Sequence, residues 1–312
     1  MIIDKRSWFR SLAAVRGTSL PRTWLRLFVT VVFAVVVTAL YETGRIGASL
    51  SPLPFSLIGV ALGIFLGFRN NTSYDRFWEG RKLWGRMVNV SRSLTRQIQM
   101  MVGPLPGEPV DADERSAVHR ELVHRIVAYV HVFRHHLRDE PDLSDVVGHL
   151  PQDEVEALDH ESNRPAAVSA RTGERLRELW DRGWIHPMHL PVLEASLTEM
   201  TGIQGGCERI KATPIPASYT ILIHRIVATY AFALPLGIVD TIHGWTPVVV
   251  LLIAYAFYGL DAIGDEIEEP FGFDENDLPL ATLSRMIEVN VRQRLGETEL
   301  PPLLEPEGGV LR

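Results

Sequence analysis

Apolar residues gather into four long runs, two near each end of the chain, with a polar middle between the pairs. Leu27 to Leu40 holds no charged residue, and Trp24 and Tyr41 stand at its ends. Thr23 to Tyr41 therefore has the length and the aromatic flanks of a membrane-spanning helix. Leu53 to Phe68 is a second run, Ala217 to Val239 a third and Trp245 to Leu260 a fourth. Short connections, Gly44 to Pro52 and Thr241 to Gly244, join them in pairs. The pattern predicts four crossings of a membrane.

The second run is short for a crossing, which takes about 20 residues. Beyond it, Phe77, Trp84, Val88 and Ile98 recur at helical spacing, so one helix is predicted to continue out of the apolar layer. Two stripes run along its apolar half. Gly59, Gly63 and Gly67 fall on one face, the small-residue spacing that lets membrane helices approach closely. Val60, Ile64 and Phe68 form a second stripe about 100° around the helix. One stripe can seat a neighbouring helix while the other faces an axis. The character changes at Phe68–Arg69. Arg69, Asn70, Asn71, Tyr74, Asp75, Arg76 and Trp78 follow, groups that suit a membrane–water boundary.

Pro104, Pro106 and Pro109 break this helix between Gly103 and Asp113. His119 to Leu137 reads as an amphipathic helix. Asp139 to Ala170 is acidic and loop-like, with turn signals at Pro141, Pro151 and Pro165. Glu174 to Trp184 and Leu190 to Ile210 read as helices, and Thr213-Pro-Ile-Pro216 closes the polar region. No run alternates as strands do. The predicted class is an all-α membrane protein, divided as 1–22, 23–68, 69–215, 216–260 and 261–312.

Composition sharpens this. With 46% hydrophobic residues and a mean hydropathy of +0.07, the chain reads as a membrane part plus a sizeable soluble part. Its net charge of -7 argues against a nucleic-acid partner. A single cysteine, Cys207, excludes an intrachain disulfide and a cysteine-based zinc cluster. Met1 to Arg22 is basic, with Lys5, Arg6, Arg10, Arg16 and Arg22 around Trp8 and Phe9, and lacks the apolar core of a cleavable signal. The two short connections hold only Arg45 among Lys and Arg, so both termini and the polar middle are expected in the cytoplasm. His131 and His135 share a helical face, but no HExxH motif completes a catalytic metal set. No metal, cofactor or enzyme activity is expected. His224 and Arg225, inside the third run, point either to a functional cavity or to a structural pair with Asp261 or Glu42.

Three ordered segments carry a resemblance. Phe68-Arg-Asn-Asn-Thr-Ser-Tyr-Asp-Arg-Phe-Trp-Glu-Gly-Arg-Lys-Leu-Trp84 resembles the signature of the bestrophin family in its bacterial branch. Gly202-Ile-Gln-Gly-Gly-Cys-Glu-Arg-Ile-Lys-Ala-Thr-Pro-Ile-Pro216 and Glu268-Glu-Pro-Phe-Gly-Phe-Asp-Glu-Asn-Asp-Leu-Pro279 resemble two further family segments. The resemblance implies a homopentameric ion channel of the bacterial inner membrane. Its partners would be membrane lipids and the permeating monovalent ions. Val60, Ile64 and Phe68 would be the neck, three apolar rings about 6 Å apart around the pore. Gly59, Gly63 and Gly67 would let the helix pack against a neighbour. A second, cytosolic constriction would fall in His186-Pro-Met-His-Leu190, at Met188 or else Leu190. Asp274 and Asp277 match acids of the eukaryotic calcium clasp, while Phe273, Glu275, Asn276 and Leu278 depart from its acidic run. Bacterial relatives imply sodium as the permeating ion, in keeping with the acidic balance; chloride is the alternative. A membrane-anchored helical enzyme or metal-binding receptor is the competing class.

Overall fold

The computed structural model describes residues 1, 17–47, 50–104 and 111–311. The basic cluster Lys5 to Arg16 lies outside them. Among the described residues nine α-helices follow one another: α1 (Leu20–Glu42), α2 (Pro52–Met101), α3 (Ala112–Arg138), α4 (Gln152–Ala157), α5 (Arg164–Asp181), α6 (Leu190–Ala212), α7 (Ala217–Ile242), α8 (Thr246–Glu268) and α9 (Leu280–Arg294). Among the described residues there is no strand, only isolated bridges. Two compact units result. An apolar unit holds α1, α7, α8 and the part of α2 up to Trp78; a polar unit holds the rest of α2, α3 to α6 and α9.

In the apolar unit α1 and α7 pack along α8. Leu27, Ala34, Leu62, Leu66, Val227, Leu234, Val250 and Ala254 fill the space between the helices. Outside stand Leu25, Phe28, Val32 and Val36 of α1 and Leu252 of α8, exposed and apolar, as lipid contact requires. The buried threonines of α1 bond to the backbone one turn back. Thr23, Thr30 and Thr38 each donate to the carbonyl one turn back, at 2.8–2.9 Å. Among the described residues three stretches are long and apolar enough to cross a membrane: Leu20–Glu42, Pro52–Met101 and Ala217–Glu268. The last is two helices in sequence, α7 and α8. A single-turn 3-10 helix at His243–Trp245, where His243 takes φ 48, reverses the chain between them.

The predicted continuation of the second helix is present. α2 is unbroken for 50 residues, about 75 Å at 1.5 Å per residue. In the polar unit its Trp84 stacks on Phe133 of α3, with ring centres 5.4 Å apart. Gly206 of α6 meets the same helix. A methyl group there would stand 3.0 Å from Leu83, so this glycine of the Gly-Gly-Cys segment sets a close helix contact.

One stretch departs from expectation. Asp139 to Ala170 is not all loop, because α4 spans Gln152–Ala157 and α5 starts at Arg164. Pro165 sits in the first turn of α5, where its missing N–H costs nothing. Asn163 caps that turn by accepting from the Ala166 N–H at 3.1 Å. What reads as a turn proline is a helix start.

A candidate pore-lining face

The apolar half of α2 has one buried side and one bare side. Leu62 and Leu66 are 2% and 0% exposed; Val60, Ile64 and Phe68 are 65%, 54% and 60% exposed. At 100° per residue the two sets point in roughly opposite directions. Arg69 and Ser73 continue the buried side. The stripe read from sequence is therefore the face that α2 turns away from its own unit.

The three glycines divide. A methyl group on Gly59 would stand 2.6 Å from the Tyr230 hydroxyl of α7, so glycine is what lets the helices come this close. Among the described residues, a methyl group on Gly63 or Gly67 would meet nothing within 4 Å.

Immediately after Phe68 the polar residues of the signature tie α2 to α8. The Arg69 guanidinium is fully buried, and its Nη1 stands 2.7 Å from Asp261 Oδ1. Its Nη2 contacts Asp265 Oδ1 and stands 4.0 Å from Glu268 Oε2. Asn70 Nδ2 donates to the Leu260 carbonyl at 3.1 Å, and Arg76 Nε to that of Glu268 at 3.0 Å. Glu268 in turn accepts from the Ile215 N–H at 2.8 Å, which anchors the Thr-Pro-Ile-Pro segment. By sequence these groups suit a lipid boundary; in the structure Arg69, Asn70 and Arg76 form a clamp. Its signal was the spacing of Asp261, Asp265 and Glu268, one acidic stripe at the end of an apolar helix.

His224 faces the acids of α8. Its Nε2 stands 3.3 Å from both Asp261 and Asp265. Glu42 lies 3.8 Å from His243 instead. Arg225 lines a cavity of about 300 Å³ with Phe55, Ile58 and Tyr230.

The remaining candidates lie in the polar unit. Met188, just before α6, is 73% exposed, and its N–H donates to His186 Nδ1 at 3.1 Å. Leu190, the first residue of α6, is half-buried. Asp274 and Asp277 close a turn on themselves. The buried Asp277 carboxylate accepts from the Asp274 N–H at 2.7 Å, while the Asp277 N–H donates to the Asp274 carbonyl at 3.1 Å. Arg138 flanks the turn, 4.7 Å above the Phe273 ring. A calcium ion would need 6–8 oxygen ligands around these two acids.

His131 and His135 are buried between helices. Asp145 lies between them, 3.2 Å from His131 Nδ1 and 2.7 Å from His135 Nε2. His131 Nε2 reaches Glu288 of α9 at 3.1 Å. Burial alone would push the Asp145 carboxyl up. The hydrogen bonds from His131 and His135 and the charges of His131 and Arg134 outweigh it and hold Asp145 well below the usual carboxylate range. Glu288 is held low by the same opposition, burial against His131 and His149. Burial would lower His131, yet its bonds to Asp145 and Glu288 raise it above its ordinary value. The cluster is an ion-pair network between helices.

The geometry can be set beside known proteins. A family model described as the bacterial/fungal bestrophin protein matches residues 1–293. A Ralstonia nicotianae protein named as voltage-dependent anion channel-forming is 42% identical over 294 residues, 94% of each chain. The Escherichia coli K12 protein YneE, named in the same way, is 34% identical over 98% of each chain. Crystal structures of two variants of a bacterial bestrophin homologue from Klebsiella pneumoniae superpose with TM-scores of 0.80 and 0.81 at 33% identity. They cover 88% and 90% of this chain and the whole of theirs. With matches of this extent in sequence and in fold, the chain belongs to the bacterial and fungal bestrophin family.

Proposed function

We propose that this chain forms a bestrophin-type ion channel, a homopentamer in the bacterial inner membrane with both termini in the cytoplasm, and that it passes anions. The observation that carries the channel reading is the bare apolar face of α2. Val60, Ile64 and Phe68 turn away from their own unit, while the opposite face is fixed by Leu62, Leu66 and the buried Arg69. Five copies of such a face around an axis make three stacked apolar rings. A constriction of this kind limits flow through width and through loss of water. Met188, exposed ahead of α6, is the proposed second constriction. Gly63 and Gly67, bare within one protomer, would receive a neighbouring copy.

The relatives bear on selectivity. They are named as anion channel-forming proteins, which supports chloride-class ions here. The edge of the Phe68 ring carries partial positive charge and can face an anion. The names also speak for a channel and against an anchored enzyme. The sodium reading expected from sequence has one observation in its favour, the net charge of -7.

Bilayer recording of the purified protein under a sodium chloride gradient tests both levels. Reversal near the chloride equilibrium potential supports the anion reading. Reversal near that of sodium replaces it with the cation reading. Absence of current from an intact oligomer overturns the channel itself.

A further inference from the structure

Asp261 and Asp265 lie one turn apart on α8, and Arg69 takes one oxygen of each. Its Nη1 and Nη2 both address Oδ1 atoms. The second oxygen of each carboxylate, Oδ2, faces His224 of α7, 3.3 Å from Nε2 in both cases. That nitrogen is shut off from solvent and, among the described residues, makes no hydrogen bond. One imidazole nitrogen and two carboxylate oxygens, from two helices, thus lie within 4.8 Å of one another.

These distances suit a metal better than they suit a bare ion pair. Zinc binds nitrogen and oxygen at about 2.0–2.2 Å, which sets a tetrahedral edge of about 3.3–3.6 Å. Both N···O separations match that edge. Arg69 plays the part usual behind a metal-binding carboxylate, holding the oxygen that does not bind. Charge agrees as well. Asp261, Asp265 and the nearby Glu268 outnumber the Arg69 guanidinium buried among them. Arg26 also approaches Asp261 Oδ2, at 3.8 Å, on a side chain that is half exposed and able to swing aside. A cavity of about 420 Å³, lined by Leu25, Arg26, His224, Phe232 and Asp261 among others, gives access and room for a fourth ligand. An imidazole with two carboxylates selects a transition metal over calcium or magnesium, which want more oxygens.

We propose that His224, Asp261 and Asp265 bind a divalent transition metal of the zinc class, with water as the fourth ligand. The ion ties α7 to α8 at the point where Arg69 ties α2 to α8, one residue from Phe68. Occupancy stiffens the support of the bare α2 face and so changes the current. The effect on current rests on the channel reading; the binding does not.

The test uses full-length protein in detergent, stripped with a chelator and titrated with zinc chloride by calorimetry. Cobalt(II) chloride serves as the spectroscopic probe. The expected result is one zinc per chain, weakened by at least about tenfold in His224→Gln and in the milder Asp265→Asn. Arg225→Gln, next to the site and not in it, should bind as the parent does. Cobalt should give the intense visible bands of a tetrahedral site in the parent and not in His224→Gln. Equal zinc binding by parent and both variants, no binding by the parent, or magnesium binding as tightly as zinc overturns the proposal. In bilayers, zinc should alter the parent current and leave that of Asp265→Asn unchanged; identical responses would remove the link to conduction. A protein that carries no current at all would still give the calorimetric answer.

Discussion

Leu62 and Ile64 stand two positions apart on α2 and have opposite surroundings. Leu62 is packed among Leu66, Val227 and Ala254, whereas Ile64 is bare. Their alanine variants should therefore differ in kind. Ile64→Ala should leave thermal stability nearly unchanged and raise single-channel current, because the ring it forms becomes wider and easier to wet. Leu62→Ala should cost about 2–5 kcal/mol of stability, as a cavity opens in a closed core, with little change in the current of the channels that assemble. Calorimetry and bilayer recording on the two variants separate these outcomes. The alternation was legible in the sequence because both stripes obey helical spacing. The partners of Arg69 were not. A buried arginine and an interfacial one look alike until the helix carrying the acids is placed beside it.

At the level of elements, α2 shows what periodicity can and cannot settle. Phe77, Trp84, Val88 and Ile98 announced a continuous helix, and it is continuous. Proline spacing misled between Asp139 and Ala170, since the same residue ends one helix or starts the next according to its cap. The histidine pair on α3 was legible as a cluster; Asp145 and Glu288, distant in sequence, are what make it an ion-pair network. Its pH dependence has a definite sign. His131 is raised, so its contribution is complete below its unfolded value near 6.5 and is lost as pH climbs through the folded value. Asp145 and Glu288 are depressed, so theirs is complete above about pH 4.5 and is lost on strong acidification. The network therefore stabilises most between about pH 4.5 and 6.5. His124, held low chiefly by burial, acts in the opposite sense, which makes a variant comparison the clean readout. The melting temperature of His131→Gln should fall furthest below the parent near pH 6, and the gap should narrow toward pH 9. A gap that widens with pH would contradict this assignment.

For the whole molecule, the polar unit encloses its own core while the apolar unit leaves several faces of large side chains bare. Lipid accounts for those on α1. The Val60 stripe and the glycines beside it call for something else, and further copies of the chain satisfy both. Gly63→Leu would fill the face that a neighbouring copy needs, and should convert the assembled oligomer to smaller species in detergent, read by light scattering. An intact oligomer in that variant would remove the glycine face from the interface. Assembly was legible only through family resemblance, because one chain's sequence does not say which apolar face meets lipid and which meets a copy of itself.

Val60, Ile64 and Phe68 are proposed to line the conducting path. The chain offers a clean background for testing it, since Cys207 is its single cysteine, fully buried, with burial pushing its thiol well above the ordinary range. The measurement is current through Ile64→Cys and Leu62→Cys channels before and after a water-soluble, thiol-specific reagent. Rapid and lasting block of Ile64→Cys, with Leu62→Cys and the parent unaffected, is the predicted result. Block of Leu62→Cys with Ile64→Cys untouched would contradict this and put the pore on the other side of α2.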